Sequence, residues 1–125
     1  MRVALALLLT AVLGCADAAA PAGPDPAAPA PSWRLVASWE GGPAWAWLTT
    51  DPFTVAAPWR VRWSGSGSGA LFVDLYQADG TLVGRIGEQQ ADGSGATAPR
   101  TAAGTYRLEL RSTLWAWSVV VEDAP

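Results

Sequence analysis

The chain offers few groups that could do covalent chemistry. Its 125 residues include no histidine, no lysine and a single cysteine, Cys15, so all positive side-chain charge is carried by arginine. Without an imidazole there is no base to activate a Ser or Cys nucleophile, and without a lysine there is no amine alternative. Zinc sites draw on His and Cys, and no run of Asp and Asn resembles a calcium loop, so no metal and no cofactor is expected. What remains is a carboxylate pair of the glycosidase kind, taken from Glu40, Asp51, Asp74, Glu88 or Glu109, since such enzymes need only two placed acids. Asp74 and Glu109 fall at polar positions of alternating stretches, where a solvated or arginine-paired face accounts for them better. The expectation is a protein that is not an enzyme and has no catalytic residue.

Binding chemistry is better represented. All eight tryptophans lie beyond residue 32, together with Phe53, Phe72, Tyr76 and Tyr106. A buried indole removes about 150 to 250 Å² from water, and a domain of this size absorbs about four of them centrally. Trp59, Trp63, Trp115 and Trp117 have the parity of core residues, whereas Trp33, Trp39, Trp45 and Trp47 lie in less regular stretches. Trp45-Ala46-Trp47 projects two indoles from one face of a strand about 7 Å apart. Exposed, they would form a flat aromatic platform for a sugar ring or an envelope protein; the other account has these rings capping the domain or completing its core. Arg60 and Arg62 share an outer face, and Arg107, Glu109 and Arg111 share that face or a neighbouring one. A ladder of cross-strand charge pairs is the simpler explanation, a patch for acidic polysaccharide or lipid headgroups the sharper one. Nucleic acid is not an expected partner, because the net charge is −3 and no basic face is evident.

The N-terminus speaks to location. Arg2 precedes the apolar run Val3-Ala4-Leu5-Ala6-Leu7-Leu8-Leu9, too short to span a bilayer and the right length for a signal-peptide core. Val12-Leu13-Gly14-Cys15 resembles the lipobox of bacterial lipoproteins, with an aliphatic residue three before the cysteine and a small residue directly before it. The resemblance implies a leader over residues 1–14, lipidation of Cys15 and attachment to a membrane of the cell envelope. An ordinary secretory signal cleaved after Ala18 or Ala20 is the other account. Ala16 stands where some lipoproteins carry the aspartate that retains them at the inner membrane, so the resemblance points to the outer membrane or cell surface in an organism with two membranes.

Residues 15–31 hold prolines at 21, 24, 26, 29 and 31, which fix φ and remove donors, so this stretch reads as an extended tether reaching at most about 50 Å. One domain, residues 32–125, is left. Its period is two almost throughout: Trp59-Arg60-Val61-Arg62-Trp63, Tyr106 to Arg111, Trp115 to Val121 and Leu71 to Tyr76 all alternate, as strands with one buried face do. Weaker strands are expected at Trp33 to Trp39, Ala44 to Thr49, Phe53 to Ala56 and Thr81 to Ile86. Asp79-Gly80 marks a hairpin with a type I′ turn. Ser64 to Gly69 and Ala91 to Gly95, rich in glycine and serine, read as loops. Seven or eight short strands at this spacing predict an all-β fold, a single antiparallel β-sandwich. Thr50-x-x-Phe53-x-Val55, Trp59-x-Val61-x-Trp63, Gly104-x-Tyr106-x-Leu108 and Trp115-x-Trp117-x-Val119 look like the strand signatures of small secreted β-sandwich modules, including pre-peptidase and carbohydrate-binding-like domains. That likeness implies a non-catalytic binding module; the alternative is a structural accessory lipoprotein whose tryptophans all serve the core.

Overall fold

The computed structural model of the chain describes residues 31–125. The expected leader over residues 1–14, Cys15 and the expected tether up to residue 30 lie outside the described residues. Ser32–Pro125 forms one compact unit of nine strands: β1 (Arg34–Gly41), β2 (Ala46–Thr49), β3 (Phe53–Val55), β4 (Trp59–Ser66), β5 (Ala70–Gln77), β6 (Leu82–Gln90), β7 (Gly93–Ala96), β8 (Gly104–Ser112) and β9 (Ala116–Asp123). No helix occurs among the described residues. Two antiparallel sheets make a sandwich, one ordered β1-β9-β4-β7 and the other β2-β8-β5-β6, with β3 also paired to β8. The all-β sandwich is as the period-two pattern predicts.

Alternation decides which side chains meet between the sheets. Val61, Leu71, Val73, Leu75, Leu108, Leu110, Val119 and Val121 are fully or almost fully buried, and all but Leu71, Val119 and Val121, which adjoin Ala70 or Val120, are flanked on both sides by polar or aromatic neighbours. Trp59 sits among them, its ring 6.4 Å from Phe53 and 4.9 Å from Tyr106. Its indole N–H donates to the Ala102 carbonyl at 3.0 Å, which satisfies a donor that would otherwise be costly to bury.

Three expectations are corrected. There are nine strands rather than seven or eight, because Gly93–Ala96, expected as loop, pairs with β4 through Arg62↔Ala96, Trp63↔Gly95, Ser64↔Ser94 and Gly65↔Gly93. The reason is steric: Gly95 lies directly opposite Trp63, and the indole folds over the space that a side chain would have filled. A Cβ on Gly95 would come within 2.6 Å of Trp63 Cζ2, and one on Gly87 of β6 within 2.8 Å of Cζ3. The ring thereby closes the side of the sandwich between the two edge strands. Gly41, at the end of the opposite edge strand β1, is likewise opposite Trp117 and pressed against its ring. Covering an edge glycine with a cross-strand aromatic is a known way to stabilise such a strand.

The second correction concerns the Asp79-Gly80 hairpin, which forms but not as type I′. Gly80 alone has positive φ (94°); its N–H donates to the Gln77 carbonyl, and the Gln77 N–H donates to the Thr81 carbonyl. This is the three-residue loop with one left-handed glycine. The third is Trp115, expected in the core and in fact 67% exposed. β9 starts only at Ala116, and Leu114 in the preceding turn takes the inward place, its N–H held by Ser112 Oγ at 3.0 Å. Strand parity cannot be extended through a turn.

Candidate functional site

The outer face of the β2-β8-β5-β6 sheet carries the most distinctive surface. Register builds it row by row. Trp47 of β2 lies beside Arg111 of β8, Arg111 beside Phe72 of β5, and Phe72 beside Glu88 of β6. The next row holds Thr49, Glu109, Asp74 and, past a bulge, Arg85. The result alternates aromatic rings with guanidiniums: the Arg111 Cζ lies 5.8 Å from the Trp47 ring centre and 5.7 Å from that of Phe72, and the Arg85 Cζ 4.5 Å from Phe72.

Asp74 organises this face. Although outward by register, it is buried beneath its neighbours. It accepts from Arg85 Nε at 2.8 Å and Nη2 at 3.3 Å, and from Arg111 Nη2 at 3.2 Å. The hydrogen bonds from Arg85 hold its carboxyl below the usual range, with the charges of both arginines helping and burial opposing. One carboxylate therefore serves two guanidiniums. Arg111 keeps unused donors, including an Nε–H that is buried without a partner.

Beside Arg111, Trp45, Trp47, Ala70, Phe72, Ser112 and Thr113 enclose an open cavity of about 160 Å³. Trp45 and Trp47, singled out from the sequence, do meet there and are 64% and 59% exposed. They do not make a flat platform: their ring centres are 6.0 Å apart and their planes meet at 80°, so the surface is a corner with two aromatic walls. Edge-to-face contact relieves the repulsion that parallel, fully overlapped rings would feel, which favours the corner. Thr113 Oγ1 fixes the neighbouring turn by accepting from the Ala70 N–H at 3.1 Å. Arg111 and Phe72 are the members of the site that sequence reasoning did not group with the tryptophans. Their outward parity was visible, but the pairing of β2, β8 and β5 that brings them together was not.

The outer face of the other sheet is quieter. Arg60 and Arg62 both donate to Glu122 Oε1 at 2.9 Å, and the Arg60 guanidinium stacks 4.1 Å from the Trp33 ring centre. This is the expected charge ladder, and it lies on a different sheet from Arg107, Glu109 and Arg111. The rest of that face includes Ser64, Ser94, Ala96, Ser118 and Val120, with Ser38 and Glu40 towards β1. Among the described residues no three His, Cys, Asp or Glu side chains are gathered as for a metal ion. Glu40, Asp51, Glu88 and Glu109, the other candidate acids, are not brought to the aromatic corner. Among the described residues the carboxyls whose acidity is displaced, those of Asp74, Asp79, Glu122 and Asp123, all move downward, and in each case a hydrogen bond is the leading cause.

Comparison with known proteins adds little. No protein-family model matches the chain, and no curated protein matches it. Among solved structures it is similar to chains of infectious bursal disease virus, Gt strain and Gx strain. Each is 15% identical with a TM-score of 0.36, over 84% and 94% of this chain and 36% and 42% of theirs. The chain thus spans less than half the length of those proteins, and a likeness of that order says nothing about its ligand.

Proposed function

We propose that this is a lipid-anchored protein of the bacterial cell envelope whose β-sandwich binds a ligand through the Trp45–Trp47 corner and performs no reaction. The observation that carries the reading is the exposure of these two indoles beside Arg111, at a cavity, when the core is complete without them. Exposed aromatic surface gathered at a concave site is where sugar rings or partner side chains find both apolar area and oriented donors. The ligand class is envelope glycan or an envelope protein. The absence of histidine and lysine, together with carboxyls held ionised by arginine rather than kept protonated, supports binding over acid–base catalysis. Membrane attachment rests on the lipobox-like Val12-Leu13-Gly14-Cys15, which would place the domain at the outer membrane or cell surface of a diderm. The exposure of Trp45, Trp47 and Trp115 favours this reading over a structural accessory whose tryptophans all serve the core.

The test is the double variant Trp45→Ala with Trp47→Ala. It should melt within a few degrees of wild type and lose retention on insoluble cell-wall glycan or on an envelope fraction. A double variant that unfolds, or one that retains every ligand the wild type binds, refutes the reading.

A further inference from the structure

The geometry points to a sugar ring bearing a carboxylate as the ligand of the Trp45–Trp47–Arg111 corner. This rests on the binding function proposed above and narrows it to one chemical class. The cavity has two aromatic walls set at 80° and a third aromatic at Phe72, with Ser112 and Thr113 beside them, their hydroxyls held by the Leu114 and Ala70 N–H groups. Its volume of about 160 Å³ suits one small ring rather than an extended side-chain cluster. Apolar walls of this kind take the C–H faces of a pyranose, but they also accept any apolar side chain, so they do not settle the class alone.

Arg111 does. It is the one charged residue lining the cavity, and its charge is not fully met. Arg85 holds Asp74 by two hydrogen bonds, at 2.8 and 3.3 Å, whereas Arg111 reaches the same carboxylate by one, at 3.2 Å. Glu88 lies near Arg85, not near the cavity. Glu109 stands one row away, over Asp74 and Thr49, and does not line the cavity. Arg85 thus has both Asp74 and the charge of Glu88 beside it, whereas Arg111 has a single hydrogen bond to Asp74 and an unpartnered Nε–H. A guanidinium with free donors selects planar, bidentate acceptors. A carboxylate carried directly on a stacked ring presents such an acceptor; a neutral hexose presents single hydroxyls. Arg111 is held at its post by Asp74 and by the rings of Trp47 and Phe72, so little ordering entropy is lost when the ligand arrives.

The experiment uses isolated bacterial cell-wall and capsular glycan carrying uronic acids, before and after carbodiimide–borohydride reduction, which converts each ring carboxylate to a hydroxymethyl group and leaves the rings intact. Depletion binding of the wild-type chain should weaken about tenfold or more on reduction, the scale of a charge-assisted hydrogen bond lost in a partly desolvated site. Arg111→Gln, checked as folded by its melting curve, should bind the native glycan more weakly than wild type does and should lose the preference for the native over the reduced form. Wild-type binding that is indifferent to reduction overturns the carboxylate inference and leaves the binding function standing. Failure of the wild type to bind either form, with the domain folded, overturns the inference, and the binding function falls with it only if the envelope fraction is not bound either. Preference for the native glycan that survives in Arg111→Gln also overturns the inference, because the discrimination would then come from elsewhere.

Discussion

The slot that holds Trp63 allows a sharp test of how this sandwich closes. Gly95→Ala adds one methyl group whose carbon would lie 2.6, 2.7 and 2.8 Å from Cζ2, Cε2 and Nε1 of the indole. Ordinary carbon contacts lie at about 3.5 to 4.0 Å, so the ring must retreat by roughly 1 Å. It has nowhere to go, since the backbone of Gly87 on the other sheet is already against its far side. Overpacking of this kind costs about 1 to 3 kcal/mol. Because Gly95 does not have positive φ, alanine also returns about 0.4 to 1 kcal/mol by restricting the unfolded chain. The net loss is about 1 to 2 kcal/mol, or about 5 to 15 °C for a domain of this length. Urea melts of Gly95→Ala, Trp63→Leu and the double variant measure it, with Gly42→Ala as control, since a Cβ there meets nothing within 4 Å. In the Trp63→Leu background Gly95→Ala should cost nothing, giving a coupling of about 1 to 2 kcal/mol. If the cost persists without the indole, or if Gly95→Ala behaves like Gly42→Ala, the ring is not what holds β7 in place.

Other expectations follow from the same structure. Trp117→Ala, in the core, should cost about 3 to 5 kcal/mol in denaturant melts, while Arg62→Ala, whose partner Glu122 keeps Arg60, should cost less than about 1; similar losses would invert the assigned faces. Trp115→Ala should change stability by no more than about 0.5 kcal/mol. Cys15→Ser should move the protein from the detergent phase to the aqueous phase on partitioning, and a wild type already wholly aqueous would refute the anchor. For pH, Asp74, Glu122 and Asp123 have carboxyls lowered by hydrogen bonds from Arg85, Arg62 and Arg34 respectively. Folded values below the unfolded ones mean that this stability is present above about pH 4 and is lost as pH falls through the folded values. With no histidine in the chain, the melting temperature should be nearly flat from pH 6 to 8 and fall below about pH 5, less steeply in Asp123→Asn; a step near pH 6.5 would contradict this.

What could be read from the sequence was whatever local alternation records. Trp59 to Trp63, Leu71 to Tyr76 and Tyr106 to Arg111 display both faces in their own order, and their burial follows it. β7 could not be read, because Gly93-Ser94-Gly95-Ala96 has almost no side chains to show a period; its place is set by an indole on a strand some thirty positions earlier. Trp115 misled for the opposite reason: its parity matched Trp117, but the strand did not reach it. The site was half legible. Trp45 and Trp47 are neighbours in sequence and stayed neighbours in space, whereas Arg111 and Phe72 join them only through the pairing of β2 with β8 and of β8 with β5. Such register depends on which sheet each strand enters, and alternation alone does not specify that.

The allotment of the eight indoles shows why the surplus at the corner calls for a function. Trp59 and Trp117 are buried, Trp39 and Trp63 pack against the core at its margins, and Trp33 lies under the Arg60 guanidinium. Each of these five covers something that would otherwise be lost: apolar volume, an edge glycine, or the face of a charge ladder. Trp47 flanks the Arg111 guanidinium, but Trp45, Trp47 and Trp115 are the three indoles left largely exposed. They fall on or beside the turns joining β1 to β2 and β8 to β9, which the register places at the same end of the sandwich, since Gly41 is opposite Trp117 and Ala46 opposite Ser112. Apolar residues scattered singly over a surface need no explanation, but three of the largest gathered at one end carry a cost in solubility. Folding does not recover that cost here, because the core is closed without them. A ligand that covers them does, and the guanidinium of Arg111, held at the edge of the same corner, is the group that would choose it.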